Sequence, residues 1–308
     1  MREFTLIERY FRPLVSKTPE ALALMDDAAH IDVARFHGKK LIISCDTLVE
    51  GVHFLENSMP YTLAQKCLAV NLSDIAGKGA CPYGFMLALQ LPPHLDESWF
   101  EAFAQGLQEA SETYSIHLLG GDTVSTSGPL AVSITVLGTA SRSLTRKGAR
   151  VGDLLCVSGM IGAGILGLET AQKKYTDDRA LAHYLNPIPQ LSLGMKLTQL
   201  DAVHASMDIS DGLLADAEHM AKASHCKFEI YLNQIPLWDT KKDAMMQITG
   251  GDDYQLLFST TQKGFDFLIK NGEDAYEIGL VKEGVGVCLL DKQGGQHITM
   301  QRKGYQHV

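Results

Sequence analysis

Apolar and polar positions alternate with two different periods along the first half of the chain. Compact apolar runs at 41–49, 84–91 and 130–140 have the length and composition of strands. The longer segments 62–77 and 97–114 carry apolar residues at the spacing of a helix that buries one face. Because strands and helices alternate along the chain, this half is typical of an α/β domain.

The second half repeats this alternation after the polar, basic segment 141–153, which has the composition of a junction between domains. Its predicted strands lie near 154–158, 202–207, 227–232, 254–260, 276–281 and 286–290, and its predicted helices near 163–174, 190–200 and 211–223. We therefore expect two domains, formed by residues 1–148 and 149–308.

Composition narrows the classes of function. Hydrophobic residues make up 45% and charged residues 20% of the chain, as in a globular protein. The formal net charge is −9 and lysine and arginine do not cluster, so a nucleic acid is not an expected partner. An acidic protein can still bind anionic substrates if metal cations lie between the two.

Cysteine spacing and hydropathy bear on the compartment. The six cysteines are scattered without a C-x-x-C pair, which favours reduced thiols over disulfides or a zinc site. The first residues, MREFTLIERYF, lack the apolar core of a secretory signal. The longest weakly polar run, 154–168, is too short and too rich in glycine for a membrane span. We therefore expect a cytoplasmic protein with no membrane partner.

Nine aspartates share a similar context, and most of them lie where a predicted strand ends or a helix begins, flanked by Gly, Ser or Thr. They are Asp26, Asp27, Asp46, Asp74, Asp122, Asp208, Asp211, Asp252 and Asp253. Each one alone is typical of a cap or turn. Because several at element ends can converge in one cleft, and no Cys or His cluster accompanies them, a hard cation such as Mg²⁺ is the expected ligand.

The stretch MDISDGLLAD, residues 207–216, leaves a cap and a binding site as equal alternatives. Ser210 or Asp211 is placed to cap the predicted helix, and Asp216 is expected on its exposed face. Asp208 lies in an apolar segment, where an unpaired carboxylate is costly. Capping therefore leaves Asp208 unexplained.

Two glycine motifs have alternative interpretations. GGDT, residues 120–123, fits either a tight turn at a strand end or a backbone that approaches a phosphate. GAGILG, residues 162–167, matches the dinucleotide pattern G-x-G-x-x-G, but the polar segment that follows does not continue such a fold. Close packing of a helix on a strand is the favoured explanation there. The sequence contains neither a Walker A loop nor the protein-kinase motifs.

Nine motifs, in the same order along the chain, resemble those of the thiamine-monophosphate kinase family. They are EFTLIERYF, DDAA, CDTLVEGVHF, AVNLSDIAGKGACP, GGDT, LTRKGARVGD, MDISDGLLAD, GGDDYQLLF and KGYQH. The wider superfamily includes aminoimidazole ribonucleotide synthetase, selenophosphate synthetase and a hydrogenase maturation protein. The resemblance implies a two-domain, synthetase-like α/β (α+β) fold. Its N-terminal domain forms a shared β-barrel in a homodimer, and its C-terminal α/β domain covers the cleft.

The resemblance also implies a reaction and its site residues. ATP would phosphorylate thiamine monophosphate directly and in line, with several Mg²⁺ ions, giving thiamine diphosphate in the last step of its biosynthesis. The implied metal ligands are Asp27, Ser44, Cys45, Asp46, Asp74, Asp122, Asp208 and Asp211, of which Asp46, Asp122, Asp208 and Asp211 are the implied catalytic residues. Gly121, Asp122, Arg146 and Ser210 would contact ATP, and His53, Asp252 and Tyr305 would contact the thiamine substrate.

Four positions depart from the family pattern without removing a metal-binding aspartate. Met25 stands where glycine is usual, Cys45 where threonine is common, Asp252 where glutamate is frequent and Arg302 where tryptophan is frequent. Three other functions remain open from the residues: an ATP-dependent synthetase, a non-catalytic nucleotide-binding protein and a metal-dependent phosphohydrolase.

Overall fold

A computed structural model of the chain describes residues 3–56, 58–298 and Gly304. Contacts between residues divide the chain into two compact units. The first comprises Met1–Ile75 and Cys81–Ser141, and the second comprises Ala76–Ala80 and Arg142–Val308.

The first unit is built on a four-stranded mixed sheet with the strand order β1-β4-β2-β3. Its strands are β1 (Lys40–Val49), β2 (Cys81–Leu91), β3 (His117–Ser125) and β4 (Ala131–Ala140). Strand β4 pairs antiparallel with β1 and β2, and β2 pairs parallel with β3. The helices are α1 (Glu3–Leu6), α2 (Pro60–Lys78) and α3 (Glu97–Tyr114), with helical turns at Ile7–Phe11, Arg12–Val15, Pro19–Leu24 and Val33–Phe36.

The two faces of this sheet differ in burial. Phe85, Leu87 and Leu89 of β2 are buried on one face, as the alternation of side chains along a strand requires. On the other face of β1, Leu41 and Ile43 are 42% and 59% exposed. One face of the sheet is therefore buried within the unit, and the other face exposes apolar side chains to solvent.

The second unit contains a six-stranded mixed sheet with the order β10-β7-β9-β5-β8-β6. Its strands are β5 (Leu154–Val157), β6 (Val203–Asp208), β7 (Lys227–Tyr231), β8 (Leu256–Thr260), β9 (Tyr276–Lys282) and β10 (Gly286–Leu290). Its helices are α4 (Ala163–Ala171), α5 (Asp178–Leu185), α6 (Leu191–Gln199), α7 (Leu213–Ser224), α8 (Ala244–Thr249) and α9 (Gln262–Lys270), with a turn at Leu232–Gln234. Among these named strands, β10 and β7 pair in parallel and the other neighbours pair antiparallel.

The mixed α/β architecture predicted from the alternating pattern is confirmed, with one sheet in each unit. The first sheet ends at β1 and β3 and is not closed into a barrel in the part of the chain that the structure describes. No helix among the described residues combines the length and the apolar character needed to cross a membrane.

Candidate active site

Three predicted metal ligands of the first unit lie where β1 meets α2. The hydroxyl of Ser44 donates a hydrogen bond to Asp74 Oδ2 at 2.5 Å. The backbone N–H of Asp46 donates to Oδ1 of Asn71 at 3.0 Å. Ser44 and Asp46 share one face of β1, while Asn71 and Asp74 are neighbours on α2 because they are three residues apart. The arrangement gathers oxygen ligands, which Mg²⁺ prefers.

Cys45 lies on the opposite face of β1 from Ser44 and Asp46, because successive side chains of a strand alternate. It is exposed and pairs in register with Thr135 of β4. Its thiol therefore points away from Asp74. This geometry makes the departure from threonine chemically mild.

A second group of predicted site residues lines a pocket of about 230 Å³ in the first unit. Asp27, Gly121 and Asp122 all border it, together with Asp26. The N–H of Asp27 donates to Oδ1 of Asp26 at 2.8 Å, which fixes the local turn. Three residues that the family resemblance assigns to metal and ATP are thus brought together.

The glycines of GGDT lie inside β3, so the strand-end turn considered for this motif is not observed. A Cβ atom at Gly121 would lie 1.8 Å from the carbonyl oxygen of Leu87. A Cβ at Gly120 would meet only the flexible end of Met86, at 3.2 Å. Gly121 is therefore required for the approach of β3 to β2.

The sheet separates Asp46 from Asp122 within one chain. Strands β1 and β3 are its two edges, three strand spacings or about 14 Å apart. Asp122 is aligned with Ala88 and, through it, with Ser133, whereas Asp46 is aligned with Ile134 in the neighbouring row. Because adjacent rows face opposite sides, the two carboxylates project from opposite faces.

His53 lies in the turn after β1. Its Nδ1 accepts the backbone N–H of Val49 at 3.0 Å, so a neutral imidazole carries its proton on Nε2. The ring is half-buried. The turn thus presents the Nε2 edge of the ring as the hydrogen-bond donor.

In the second unit, Asp208 ends β6 and is 6% exposed, and Ser210 and Asp211 follow it in the loop before α7. Neither Ser210 nor Asp211 caps the helix, so that expectation is wrong. Gly212 occupies the N-cap position with a φ of 115°. The loop is held by another residue, Asp216.

The expectation that Asp216 lies on the exposed face of the helix is also wrong. Asp216 is 1% exposed, and its Oδ2 accepts the N–H groups of Ser210 at 3.0 Å and Asp211 at 3.1 Å. Burial, followed by the negative charges of Asp208 and Asp211, raises the pKa of Asp216 well above its usual range. Asp216 folds back from the first turn of α7 to fix the Ser210–Asp211 loop.

Backbone pairing brings Asp252 beside this loop. The N–H of Asp252 donates to the carbonyl of Ser210 at 2.9 Å, and the N–H of Tyr254 donates to the carbonyl of Ile209 at 2.8 Å. The Tyr254 hydroxyl donates to Oδ1 of Asp252 at 3.0 Å. A predicted substrate contact thus adjoins the predicted metal and ATP contacts.

Arg146 is tied to the other end of α7. Its carbonyl accepts the hydroxyl of Ser224, the last residue of a helix about 18 Å long. The preceding Thr145 carbonyl accepts the N–H of Ser206 in β6 at 3.0 Å. The exposed Arg146 side chain therefore starts beside the middle of β6, separated from Ser210.

Tyr305 and Arg302 lie outside the described residues. Gly304 is described, and a Cβ there would lie 2.7 Å from the carbonyl oxygen of Asp211. The chain at Gly304 therefore passes close to the Ser210–Asp211 loop.

The donor set fits Mg²⁺ bound partly through substrate. Within the part of the chain that the structure describes, no three His, Cys, Asp or Glu side chains approach closely enough to form a metal cage. Mg²⁺ usually binds one or two carboxylates and completes its shell with waters and phosphates. The oxygens of Ser44, Asp46 and Asp74, and those of Asp208 and Asp211, are suited to that mode.

Comparison with known proteins gives the family. The family model described as AIR synthase related protein, N-terminal domain, matches residues 25–140, and the corresponding C-terminal domain model matches residues 150–291. Thiamine-monophosphate kinase of Caulobacter vibrioides is 40% identical over 99% of this chain and 90% of its own length. That of Aquifex aeolicus is 34% identical over 99% and 97%. This chain belongs to the thiamine-monophosphate kinase family.

Solved structures agree with membership of the thiamine-monophosphate kinase family, and the family predicted from the motifs is confirmed. AaThiL complexed with AMPPCP and TMP is 32% identical, with a TM-score of 0.80 over 100% of this chain and 99% of that one. The thiamine-monophosphate kinase of Stenotrophomonas maltophilia is 32% identical, with a TM-score of 0.82 over 95% and 98%. The hydrogenase maturation protein HypE of E. coli, at 21% identity, shares the fold with a TM-score of 0.78.

Proposed function

We propose that this protein transfers the γ-phosphoryl group of ATP directly and in line to the phosphate of thiamine monophosphate, giving thiamine diphosphate and ADP. This is the last step of thiamine diphosphate biosynthesis. The observation that carries the proposal is the backbone pairing of Asp252 with the Ser210–Asp211 loop, because Asp252 is the proposed thiamine contact and the loop carries proposed metal and nucleotide contacts. The AaThiL complex, in which AMPPCP and TMP are bound together on the same fold, supports it.

The protein's own contribution is to hold the γ-phosphate of ATP in line with the phosphate of thiamine monophosphate. The acceptor is a phosphate that is already largely ionised near neutral pH, so the transfer needs no general base. Mg²⁺ ions, when bound, neutralise the charge between the donor and acceptor phosphates. The proposed ligands of these ions are Asp27, Ser44, Cys45 through its carbonyl, Asp46, Asp74, Asp122, Asp208 and Asp211.

Residues around the metals would orient the two substrates. Gly121, Asp122, Arg146 and Ser210 are the proposed contacts of ATP, and His53, Asp252 and Tyr305 those of the thiamine group. Positioning of this kind supplies much of the rate enhancement in phosphoryl transfer.

The active form is proposed to be a homodimer with a shared barrel. Leu41 and Ile43 are exposed on the open face of the first sheet, which favours burial against a second copy. Asp46 and Asp122 project from opposite faces of one sheet, so a complete ligand set would combine Asp46 of one copy with Asp122 of the other.

Mixing two inactive variants tests the composite site. In mixed dimers of Asp46→Asn and Asp122→Asn, one site carries both changes and the other carries none. Reassortment should therefore restore about a quarter of wild-type activity, which is the statistical share of intact sites for random C2 pairing. Each variant mixed with itself is the control. No recovery, with mixed dimers demonstrated by mass, would contradict the composite site.

Two further assignments complete the proposal. Residues 1–148 would form the ATP-binding, metal-binding and dimerisation domain, and residues 149–308 the C-terminal α/β domain; the two family models, with 25–140 and 150–291, support this division. All six cysteines are free thiols, which supports a reducing compartment, the cytoplasm.

Product analysis tests the reaction. Purified protein is incubated with ATP, Mg²⁺ and thiamine monophosphate, and the products are separated by chromatography, with free thiamine as the control acceptor. Equal amounts of thiamine diphosphate and ADP, formed only with metal and only from the monophosphate, are expected. Phosphate release without an acceptor would indicate a phosphohydrolase instead. ATP binding without diphosphate would indicate a synthetase or a non-catalytic protein.

A further inference from the structure

The backbone N–H groups of the glycine motif GAGILG, residues 162–167, bind a carboxylate of the same chain, that of Asp253. The N–H of Gly162 lies 2.9 Å from both carboxylate oxygens of Asp253, and the N–H of Gly164 donates to Oδ1 at 3.1 Å. Asp253 is fully buried. The first N–H groups of a helix have no partner within the helix, so this carboxylate satisfies them at the start of α4.

The residues on either side of Asp253 adopt a conformation that is unusual for side-chain-bearing residues. Asp252 has a φ of 68° and Tyr254 a φ of 50°, both in the left-handed region. Non-glycine residues are strained there and persist only when the surrounding structure fixes them. The left-handed geometry at residue 252 sets the direction of the Asp252 carboxylate.

Close backbone contacts pack the Asp252 segment against α4. A Cβ on Gly164 would lie 2.3 Å from the carbonyl oxygen of Gly251 and 2.5 Å from the carbonyl carbon of Asp252. His183 of α5 lies on the other side, with Nε2 2.9 Å from the carbonyl oxygen of Asp253, so Nε2 is the donor. The segment 251–254 is held from both helices through its backbone.

The segment 251–254 is also hydrogen-bonded to the loop that carries the proposed metal ligand Asp211 and the proposed ATP contact Ser210. Asp252 and Tyr254 donate their N–H groups to Ser210 and Ile209, and Ile209 donates in turn to Gln255 at 2.8 Å. Displacement of segment 251–254 would therefore move Asp252 relative to Ser210 and Asp211. The side chain of Asp253 anchors the segment to α4.

We infer that Asp253 is a positioning residue, which uses the glycine motif at the start of α4 to hold Asp252 in its left-handed conformation for binding the thiamine group. The inference rests on the proposed function, in which Asp252 contacts thiamine monophosphate. It gives GAGILG a role without a dinucleotide: its N–H groups bind a carboxylate that aims the substrate-binding residue.

Steady-state kinetics of Asp253→Asn test the inference. The amide retains one acceptor oxygen but replaces the other with a donor that faces the N–H of Gly162. We expect the KM for thiamine monophosphate to rise at least tenfold, with kcat within threefold and the KM for ATP within twofold of wild type. Equal increases in both KM values, or none in an active enzyme, would overturn the inference.

Asp153→Asn is the matched control. Asp153 is another buried carboxylate of the second unit, hydrogen-bonded to the N–H of Arg150 and paired with His204 at the far end of β6 from Asp208. It carries a comparable change in a buried network without touching segment 251–254. The KM for thiamine monophosphate should be unchanged in Asp153→Asn; the same increase in both variants would indicate general destabilisation and overturn the inference.

Amide hydrogen exchange separates this inference from the proposed function. The N–H groups of Asp252 and Tyr254 should exchange at least tenfold faster in Asp253→Asn than in wild type, whatever the substrate. If exchange is faster in Asp253→Asn but the wild-type protein does not phosphorylate thiamine monophosphate, the anchoring role of Asp253 is supported and the proposed function is contradicted. Unchanged exchange in an active enzyme would remove the anchor alone.

A second variant covers the case in which Asp253→Asn does not fold. Gly164→Ala leaves the carboxylate in place and pushes the backbone of Gly251 and Asp252 away from α4. It should raise the KM for thiamine monophosphate in the same selective way. An unchanged KM in folded Gly164→Ala would show that Asp252 does not depend on this contact.

Discussion

The carboxylate of Asp216 accepts the backbone N–H of Ser210 at 3.0 Å, through the oxygen that also accepts the N–H of Asp211. Asp216→Ala removes this acceptor, and each N–H left without a partner costs about 1–3 kcal/mol. We therefore expect a lower free energy of unfolding and a higher Mg²⁺ concentration for half-maximal activity, measured by urea denaturation and metal titration.

Asp216→Asn is the control, because a single amide oxygen can accept both N–H groups. It should retain most of the stability lost in Asp216→Ala. If the two variants are equally stable, the hydrogen bonds from Ser210 and Asp211 do not hold the loop.

The adjacent glycines of GGDT should tolerate alanine differently. Gly121→Ala places a Cβ against the backbone of Leu87, which cannot move without breaking the pairing of β2 and β3, whereas Gly120→Ala displaces only the end of Met86. Overpacking that forces a backbone shift costs about 1–3 kcal/mol or more. Thermal denaturation should show a clear loss of stability for Gly121→Ala and a small change for Gly120→Ala. Equal losses would contradict the close approach at Gly121.

Patterning predicted the elements whose signal is local. The helix predicted at 97–114 is confirmed residue for residue, because its apolar face recurs at helical spacing and Asp96 caps it by accepting the N–H of Trp99. Strand β3 was missed, because two glycines interrupt its apolar run and are typical of a turn. Helix α9 was missed as well, in a short segment after a buried strand.

The positions of several site residues could not be predicted from the sequence. They depend on contacts between segments far apart in the chain, or on where the chain changes direction. Asp216 was expected on an exposed face, and only the reversal of the chain at Gly212 turns its carboxylate towards Ser210. Asp253 is buried by α4, about ninety residues earlier in the chain. The separation of Asp46 from Asp122 follows from strand order, which no local pattern contains. Asn71 differs from these residues, because its position could have been read from the sequence. It lies one helical turn before Asp74, so the two side chains fall on the same face of the predicted helix.

Ser44 and Cys45 are adjacent in sequence but lie on opposite faces of β1. Ser44→Ala removes the hydroxyl that is bonded to Asp74 and should raise the Mg²⁺ concentration required for half-maximal activity several-fold. Cys45→Ala keeps the backbone carbonyl and should change that concentration less than twofold. Metal titration of both variants at saturating ATP checks this difference. A stronger effect at Cys45 would mean that its side chain faces the metal.

The stability of the protein should depend on the ionisation of Asp253. Burial is the largest influence and raises the pKa of this carboxyl from 3.8 to about 7, against the N–H groups of Gly164 and Gly162, which lower it; the charge of Asp252 raises it further. Because the folded protein binds this proton more tightly than the unfolded chain, the stabilisation is complete below about pH 4 and is lost as the pH rises through about 7.

Asp253→Asn cannot titrate, so its stability relative to wild type should improve from pH 5 to pH 8. Urea denaturation of both proteins at the two pH values measures this change. Asp153→Asn serves again as the control for a buried carboxylate elsewhere in the unit. A difference between wild type and Asp253→Asn that is constant with pH would show that Asp253 is ionised throughout.

Asp208→Asn is the most direct test of the metal site in the second unit. The amide preserves the shape of a side chain that is 6% exposed at the end of β6, but it removes the charge that would bind Mg²⁺. Removal of one preorganised electrostatic contact, such as an oxyanion-hole donor, lowers kcat by about 10²–10³. We expect activity to fall by at least that factor, with the melting temperature close to wild type.

Asp201→Asn controls for the change in net charge, because Asp201 is fully exposed and its nearest cation is Arg142 at 3.8 Å. It should keep wild-type kinetics, since a surface pair at that distance contributes little. Mg²⁺ titration adds a second reading, since Asp208→Asn should require a higher metal concentration for any residual turnover. Full activity in Asp208→Asn would remove this carboxylate from the proposed metal site.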